Sequence, residues 1–339
     1  MYMIFASLAP IFLIIFVGFI IERIHYLPES TGDGLSYFAI NICIPCLLFH
    51  IMSTTTPEQF SQGNWWLGMI GSQVGALALF FCLERYLRKK DVGPSMISSL
   101  SCVFCNAGFV GLSVIINLFP DNPKALSGAG LSVVACNVVV VIGQMVMLGW
   151  SRQKKKPDGR HINFVIPLRI RIWRFIRRFI LGNSLVMATV FGLSIAFLEI
   201  PLWEPLDKAC AMLGYVSPTC MLFALGFSLR KNLREAFKSH SISLGHQIWM
   251  MGWRLVGLPL VTLAALSLLD CDPVMITVSV IMMATGTAVM VASLAQVYQA
   301  VPGQASLTVA VTNILSLFSL MGAIWLLTWL ELMPPMAAL

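Results

Sequence analysis

Asn106-Ala107-Gly108-Phe109-Val110-Gly111-Leu112-Ser113 lies inside an apolar run, residues 96–119, that is long enough to cross a bilayer. Two glycines, an asparagine and a serine stand near its middle. Lipid offers no partner to an opened backbone. A broken helix is tolerated at that depth only where protein or a water-filled cavity receives its N–H and C=O groups. The stretch therefore predicts one of two broken helices that together build a binding site.

Composition sets the class. The chain has 339 residues, of which 58% are hydrophobic and 11% charged, with mean hydropathy +0.84. Soluble domains carry about 25% charged residues, so these values predict a polytopic membrane protein. The first apolar run begins at Met3 with no basic segment before it. It predicts a retained span rather than a signal peptide. The nine cysteines are odd in number and scattered through apolar runs, which is no disulfide framework. The Cys43/Cys46 and Cys102/Cys105 spacings read as small packing residues. No cofactor or metal is expected.

Ten apolar runs read as transmembrane helices: residues 3–21, 35–52, 65–83, 95–119, 126–150, 180–198, 209–229, 242–269, 274–297 and 305–330. Nineteen of the 22 Lys and Arg fall at Arg23 or after the third, fifth and seventh runs. The positive-inside rule then puts these connections in the cytoplasm and both termini outside. This clustering accounts for the net charge of +7 without a nucleic-acid partner. The basic connection 151–179 reads as a topology anchor and linker. Residues 166–178, which mix arginines with bulky apolar residues, suit a helix lying on anionic lipid.

That connection divides the runs five and five. The expected organisation is a first five-helix repeat at 1–150, a linker at 151–179 and a second repeat at 180–339. An odd number of crossings makes the second half enter from the opposite face, as an inverted repeat. Matching residues recur at a near-constant offset. Gly18 and Gly192 are 174 apart, Pro45 and Pro218 are 173 apart, and Asn137 and Asn313 are 176 apart. Run four then pairs with run nine, whose middle reads Ala284-Thr285-Gly286-Thr287-Ala288. Paired interruptions are the best sequence pointer to a site between repeats.

Several residues are candidates to line that site. An unwound helix exposes N–H groups at the start of one half-helix, where the dipole attracts anions. Glycines Gly108, Gly111 and Gly286 let the backbone open and approach a ligand. Asn106, Ser113, Thr285 and Thr287 supply side-chain hydrogen bonds. The same small residues also permit tight helix packing. Pro45 and Pro218 kink their spans and shape the cavity. Asn41, Asn137 and Asn313 either line the site or bond between helices. Arg254 is the one basic residue well inside a span. It serves as a counter-charge for an anion, or it pairs with carbonyls. No Asp or Glu reads as mid-membrane, since Glu22 and Glu84 sit at span ends. His50 and His246 read as packed or interfacial. An intramembrane enzyme lacks its essentials, with no carboxylate pair and no HExxH.

The sequence resembles the auxin efflux carrier family of PIN-like and malonate-type permeases, within the wider bile acid–auxin transporter group. The resemblance rests on Pro10-Ile-Phe-Leu-Ile-Ile-Phe-Val-Gly-Phe-Ile-Ile-Glu-Arg23, Leu27-Pro-Glu29, Ile40-Asn-Ile-Cys-Ile-Pro-Cys-Leu-Leu-Phe49, Asn106-Ala-Gly-Phe-Val-Gly-Leu112 and Ala295-Gln-Val-Tyr298. It covers essentially the whole chain. It implies an all-α fold of ten transmembrane helices, in two inverted five-helix repeats, with helices four and nine crossing at broken midpoints. It also implies a scaffold, a mobile transport unit with elevator-type movement, and organic-anion substrates. Ser113 and Thr285-Gly286-Thr287 stand where relatives often carry proline.

The expectation is a secondary carrier of small organic anions such as carboxylates, in a bacterial-type inner membrane. Its partners are the anion, membrane lipid and a coupling ion, H+ or Na+. The oligomeric state is open, a homodimer included. The alternatives are a sodium-coupled bile-acid-type symporter and a ligand sensor that does not transport.

Overall fold

The computed structural model describes residues 2–154, 184–238 and 244–334. The regular elements among them are helices, and besides the single turn Pro57–Phe60 they number twelve among the described residues. They are α1 (Tyr2–Arg23), α2 (Ser30–Ser53), α3 (Gly63–Leu87), α4 (Val92–Val103), α5 (Ala107–Leu118) and α6 (Pro123–Lys154), then α7 (Ser184–Phe197), α8 (Glu204–Lys238), α9 (Leu244–Leu268), α10 (Pro273–Met283), α11 (Val289–Tyr298) and α12 (Pro302–Trp329). Six of these, α2, α3, α6, α8, α9 and α12, contain spans long and apolar enough to cross a membrane. Large apolar side chains such as Phe16, Leu67, Phe191 and Trp325 face outward, as they do against lipid. The chain is an integral membrane protein. The interfacial helix expected at residues 166–178 lies outside the described residues.

The pairs α4/α5 and α10/α11 occupy the two runs marked as broken. Their first members are the most enclosed helices among the described residues. Ser95 to Val103 of α4 and Met275 to Met283 of α10 are buried without interruption, the mark of a helix surrounded on all sides. Both start on an aspartate cap. The Asp91 carboxylate accepts from Val92 N–H at 2.8 Å. That of Asp272 accepts from Val274 and Met275 N–H at 3.0 and 3.4 Å. Buried hydroxyls are satisfied locally, with Ser99 and Ser101 donating to Ser95 and Ile97 carbonyls at 2.7 and 2.9 Å. Around this pair pack α3, α6, α9 and α12.

A second group packs α1 and α2 on α8, and α7 on α2. Its closest approaches are reciprocal. A Cβ on Gly18 of α1 would overlap the Phe223 carbonyl of α8, and one on Gly192 of α7 would lie 2.8 Å from the Phe49 carbonyl of α2. Phe49 and Phe223 are themselves 174 residues apart, the spacing of the two glycines. The same contact is thus made twice, each time with glycine and carbonyl contributed by opposite ends of the chain.

Two spans contain a widened turn just before a proline. Ile44 N–H bonds to Ala39 O, and Leu258 N–H bonds to Trp253 O, so each helix takes a five-residue step. Pro45 and Pro259 follow directly, and neither can donate to the carbonyl one turn back. The widened turns hold Asn41 and Arg254. Of these two prolines the sequence reading marks only Pro45.

Gly192→Ala is expected to destabilise the protein by about 1–3 kcal/mol, the usual result of forcing atoms into a filled contact. Gly34→Ala, where a Cβ meets nothing within 4 Å, should leave the detergent melting temperature unchanged or raise it. Equal melting temperatures for the two variants would refute the close-approach reading.

Candidate functional site

The links between the half-helices are extended and cross each other. Phe104 and Ala288 have ψ 108° and 136°, which ends helical bonding. Cys105 and Thr287 form one antiparallel bridge. Asn106 N–H donates to Gly286 O at 2.8 Å, and Ala288 N–H donates to Phe104 O at 3.1 Å. Each break thus satisfies backbone groups of the other, which is what a buried opening requires. Gly286 has no substitute here, because a Cβ would lie 2.7 Å from the Asn313 backbone.

Behind the crossing, polar side chains complete the network. Asn313 Nδ2 donates to Thr287 O and to Val309 O, both at 2.8 Å. Its Oδ1 accepts from Asn106 Nδ2 at 2.9 Å. Thr312 Oγ1 accepts from Thr287 N–H at 2.9 Å, and the Thr287 hydroxyl donates to Ser101 O at 2.8 Å. The Thr285 hydroxyl turns back to Met282 O at 2.9 Å, and that of Ser113 to Phe109 O. Arg254 is fully buried. Its Nη1 donates to Met283 O at 2.8 Å and its Nη2 to Gly286 O at 3.1 Å. Among the described residues no carboxylate forms an ion pair with it.

In front of the crossing lies a cavity of about 410 Å³, within the range of small-ligand sites. It is lined by the first turns of both second half-helices, Ala107, Gly108 and Phe109 of α5 and Val289 and Met290 of α11. The first N–H groups of a helix have no partner within it. Two such ends therefore present donors and positive dipole to one space. Asn41, Asn106 and Asn137 line the same space. Asn41 and Asn137 each bond a backbone carbonyl one turn back, at Tyr37 and Val133, at 2.9 Å. Asn106 gives one of its two amide protons to Asn313 and keeps the other. At the mouth, Asp33 is a lining carboxylate, exposed and 3.7 Å from Lys231 Nζ.

The predicted residues thus separate. Asn106, Gly108, Asn41 and Asn137 line the cavity. Thr285, Gly286, Thr287, Asn313 and Arg254 stand behind the crossing and hold it. Gly111 packs on Met282, where a Cβ would lie 2.6 Å from the sulfur. Pro45 and Pro218 are not lining residues, although Ile44 beside Pro45 is. Sequence reasoning missed Tyr37, Ser228 and Ser293 as lining residues. Only Ser293 carried a signal, standing one turn after Val289 on the same face of α11.

The two histidines lie elsewhere. His50 Nδ1 is 2.6 Å from Asp207 Oδ1. His246 is buried 3.2 Å from Glu84, whose carboxylate also meets Lys90 at 2.6 Å. Glu84 is thereby buried and paired.

Residues 3–324 match the family described as "Membrane transport protein". The chain belongs to this family. The match agrees with the auxin efflux carrier resemblance carried by the motifs, and it makes the protein a membrane transporter rather than an enzyme. Among curated relatives of this membrane transport family is the "Putative malonate transporter" of Rhizobium meliloti (strain 1021). It is 26% identical over 322 residues, covering 94% of each chain.

Asn313→Ala removes one donor group and one acceptor, leaving Thr287 O and the Asn106 amide in a buried space without that partner. Each such group costs about 1–3 kcal/mol. The variant is expected to melt well below the wild type. A Gln304→Ala control, in which one amide group bonded to Ser98 Oγ and Met250 Sδ is removed, should melt closer to wild type. The reverse order would remove Asn313 from its place as the anchor of the crossing.

Proposed function

We propose that this chain is a secondary active carrier of small organic anions, carboxylates and dicarboxylates of malonate size, binding them in the cavity before the crossing. One observation carries the reading. Two half-helix N-termini and three amides converge on one space, Arg254 adds a cation just behind it, and among the described residues the only lining carboxylate stands at the mouth. Such a surround favours a carboxylate, because donors and positive potential are fixed before the ligand arrives. The malonate assignment of the Rhizobium relative points to the same class.

The organisation proposed with this function counts each broken pair as one crossing, giving ten, with 1–150 and 180–339 as inverted repeats joined by 151–179. The reciprocal Gly18–Phe223 and Gly192–Phe49 contacts support it. The group α1, α2, α7 and α8 would serve as scaffold. The group around the crossing would move against it in an elevator-type step, carrying the anion between faces. The clustering of basic residues supports a reading in which both termini lie outside the cytoplasm of a bacterial-type inner membrane. The mouth, at Asp33, Ser228 and Lys231, would then open to the cytoplasm.

Arg254 also bears on the coupling ion. Its guanidinium takes the carbonyls of Met283 and Gly286 and sets a positive charge beside the crossing, which repels a second cation there. This disfavours the sodium-coupled symporter reading.

Proteoliposomes holding the purified protein are expected to take up at least one mono- or dicarboxylate from a panel, at the same rate in sodium and in choline buffer. Absence of flux and of binding for every anion would sink the proposal. Asn106→Leu is expected to lower anion affinity by roughly ten- to a hundredfold, the equivalent of about 1.5–3 kcal/mol for a hydrogen bond to a charged group. Unchanged affinity in a folded Asn106→Leu protein would remove that side chain from the site.

A further inference from the structure

Cys105 and Cys136 face each other in the cavity wall, sulfur to sulfur at 3.3 Å. Cys105 belongs to the extended link between α4 and α5, and Cys136 to α6. Each directly precedes a lining amide, Asn106 and Asn137. Both thiols are almost fully buried within the protein, so a small reagent would reach them through the cavity. All nine cysteines are free. Among the described residues no cluster of three or more metal-ligating side chains occurs.

The geometry suits one reaction. A disulfide holds its sulfurs about 2.05 Å apart, so these two need to close by roughly 1.2 Å to reach that length. At this separation one thiol can donate to the other, which keeps the two sulfurs facing. The movement would fall on a sensitive place. The backbone at Cys105 is bridged to Thr287, and on either side Phe104 O and Asn106 N–H hold the second break. Drawing the link toward α6 would shift Asn106 relative to Asn137 and strain the crossing.

We propose that Cys105 and Cys136 are a redox latch on the anion cavity. A two-electron oxidant, an azodicarboxamide or a peroxide, joins the facing thiols as a disulfide, and the displaced crossing no longer binds the anion. Each thiol gives up one proton and one electron, and one S–S bond forms. The azo compound takes up both protons and both electrons and becomes a hydrazine. With hydrogen peroxide the O–O bond breaks and two waters leave. A dithiol reductant reverses the step by exchange. The latch rests on the reading of this cavity as the anion site.

The test uses the full-length protein, treated with diamide and then blocked with N-ethylmaleimide. Peptide mapping by mass spectrometry is expected to find Cys105 linked to Cys136 in the wild type. The link should be absent from Cys105→Ser and Cys136→Ser, with Cys136→Ala as the substitute if serine prevents folding. Binding of radiolabelled malonate should fall at least about tenfold on oxidation of the wild type and return with dithiothreitol. In Cys136→Ser or Cys136→Ala it should change less than about twofold with diamide. Absence of the linked peptide overturns the latch. So does a linked protein that binds malonate as the reduced form does. Reduced protein that binds no carboxylate overturns the function assigned to the cavity, and the latch with it. Protein that binds carboxylate but ignores diamide overturns the latch alone.

Discussion

Two backbone hydrogen bonds, from Asn106 N–H to Gly286 O and from Ala288 N–H to Phe104 O, are the condition on which the rest of this structure depends. A helix opened in the middle of a membrane protein exposes groups that lipid cannot satisfy. Here two openings meet and satisfy one another. That solution demands extended backbone at both breaks, and no side chain at Gly286. It also demands that α4 and α10 approach the crossing through the centre of the fold, and both are buried along nearly their whole length.

The crossing has two faces with opposite character. Behind it, donors meet carbonyls: Arg254 on Met283 and Gly286, Asn313 on Thr287, and the Thr287 hydroxyl on Ser101. In front of it, helix N-termini leave N–H groups without helical partners. One structural act, breaking the helices, thus produces a carbonyl-rich side that takes up fixed protein donors and an amide-rich side that remains available. The separation of the predicted residues into cavity-lining and crossing-holding groups follows from this polarity of the peptide chain.

Much of the fold was legible because it is written in local chemistry. Glycine two residues after Asn106 and between Thr285 and Thr287 marked both breaks. The paired offsets of Gly18 with Gly192 and of Pro45 with Pro218 raised the expectation of a duplicated plan, and the two glycines make matching close contacts. What was not legible depends on which side of an element faces what. Asn106 and Asn313 are both amides inside apolar runs, yet one lines the cavity and the other anchors the crossing. Arg254 read equally well as a ligand for an anion or as a partner for carbonyls; the structure gives it two carbonyls. Tyr37 and Ser228 reach the cavity because α2 and α8 pack as they do, and nothing in their neighbouring residues announces it. Pro259 was missed because its widened turn becomes meaningful only with Arg254 inside it.

The reciprocal glycine contacts have a consequence for assembly. Gly18 rests on a carbonyl contributed by the later part of the chain, and Gly192 on one from the earlier part. The broken pair α4/α5 likewise finds its backbone partners in α10/α11. Neither portion therefore owns a finished interior. Without the later part of the chain, Gly18 would lack the carbonyl it rests on, and the link at Phe104 and Asn106 would lack its backbone partners. The interior is complete only where the earlier and later parts of the chain meet.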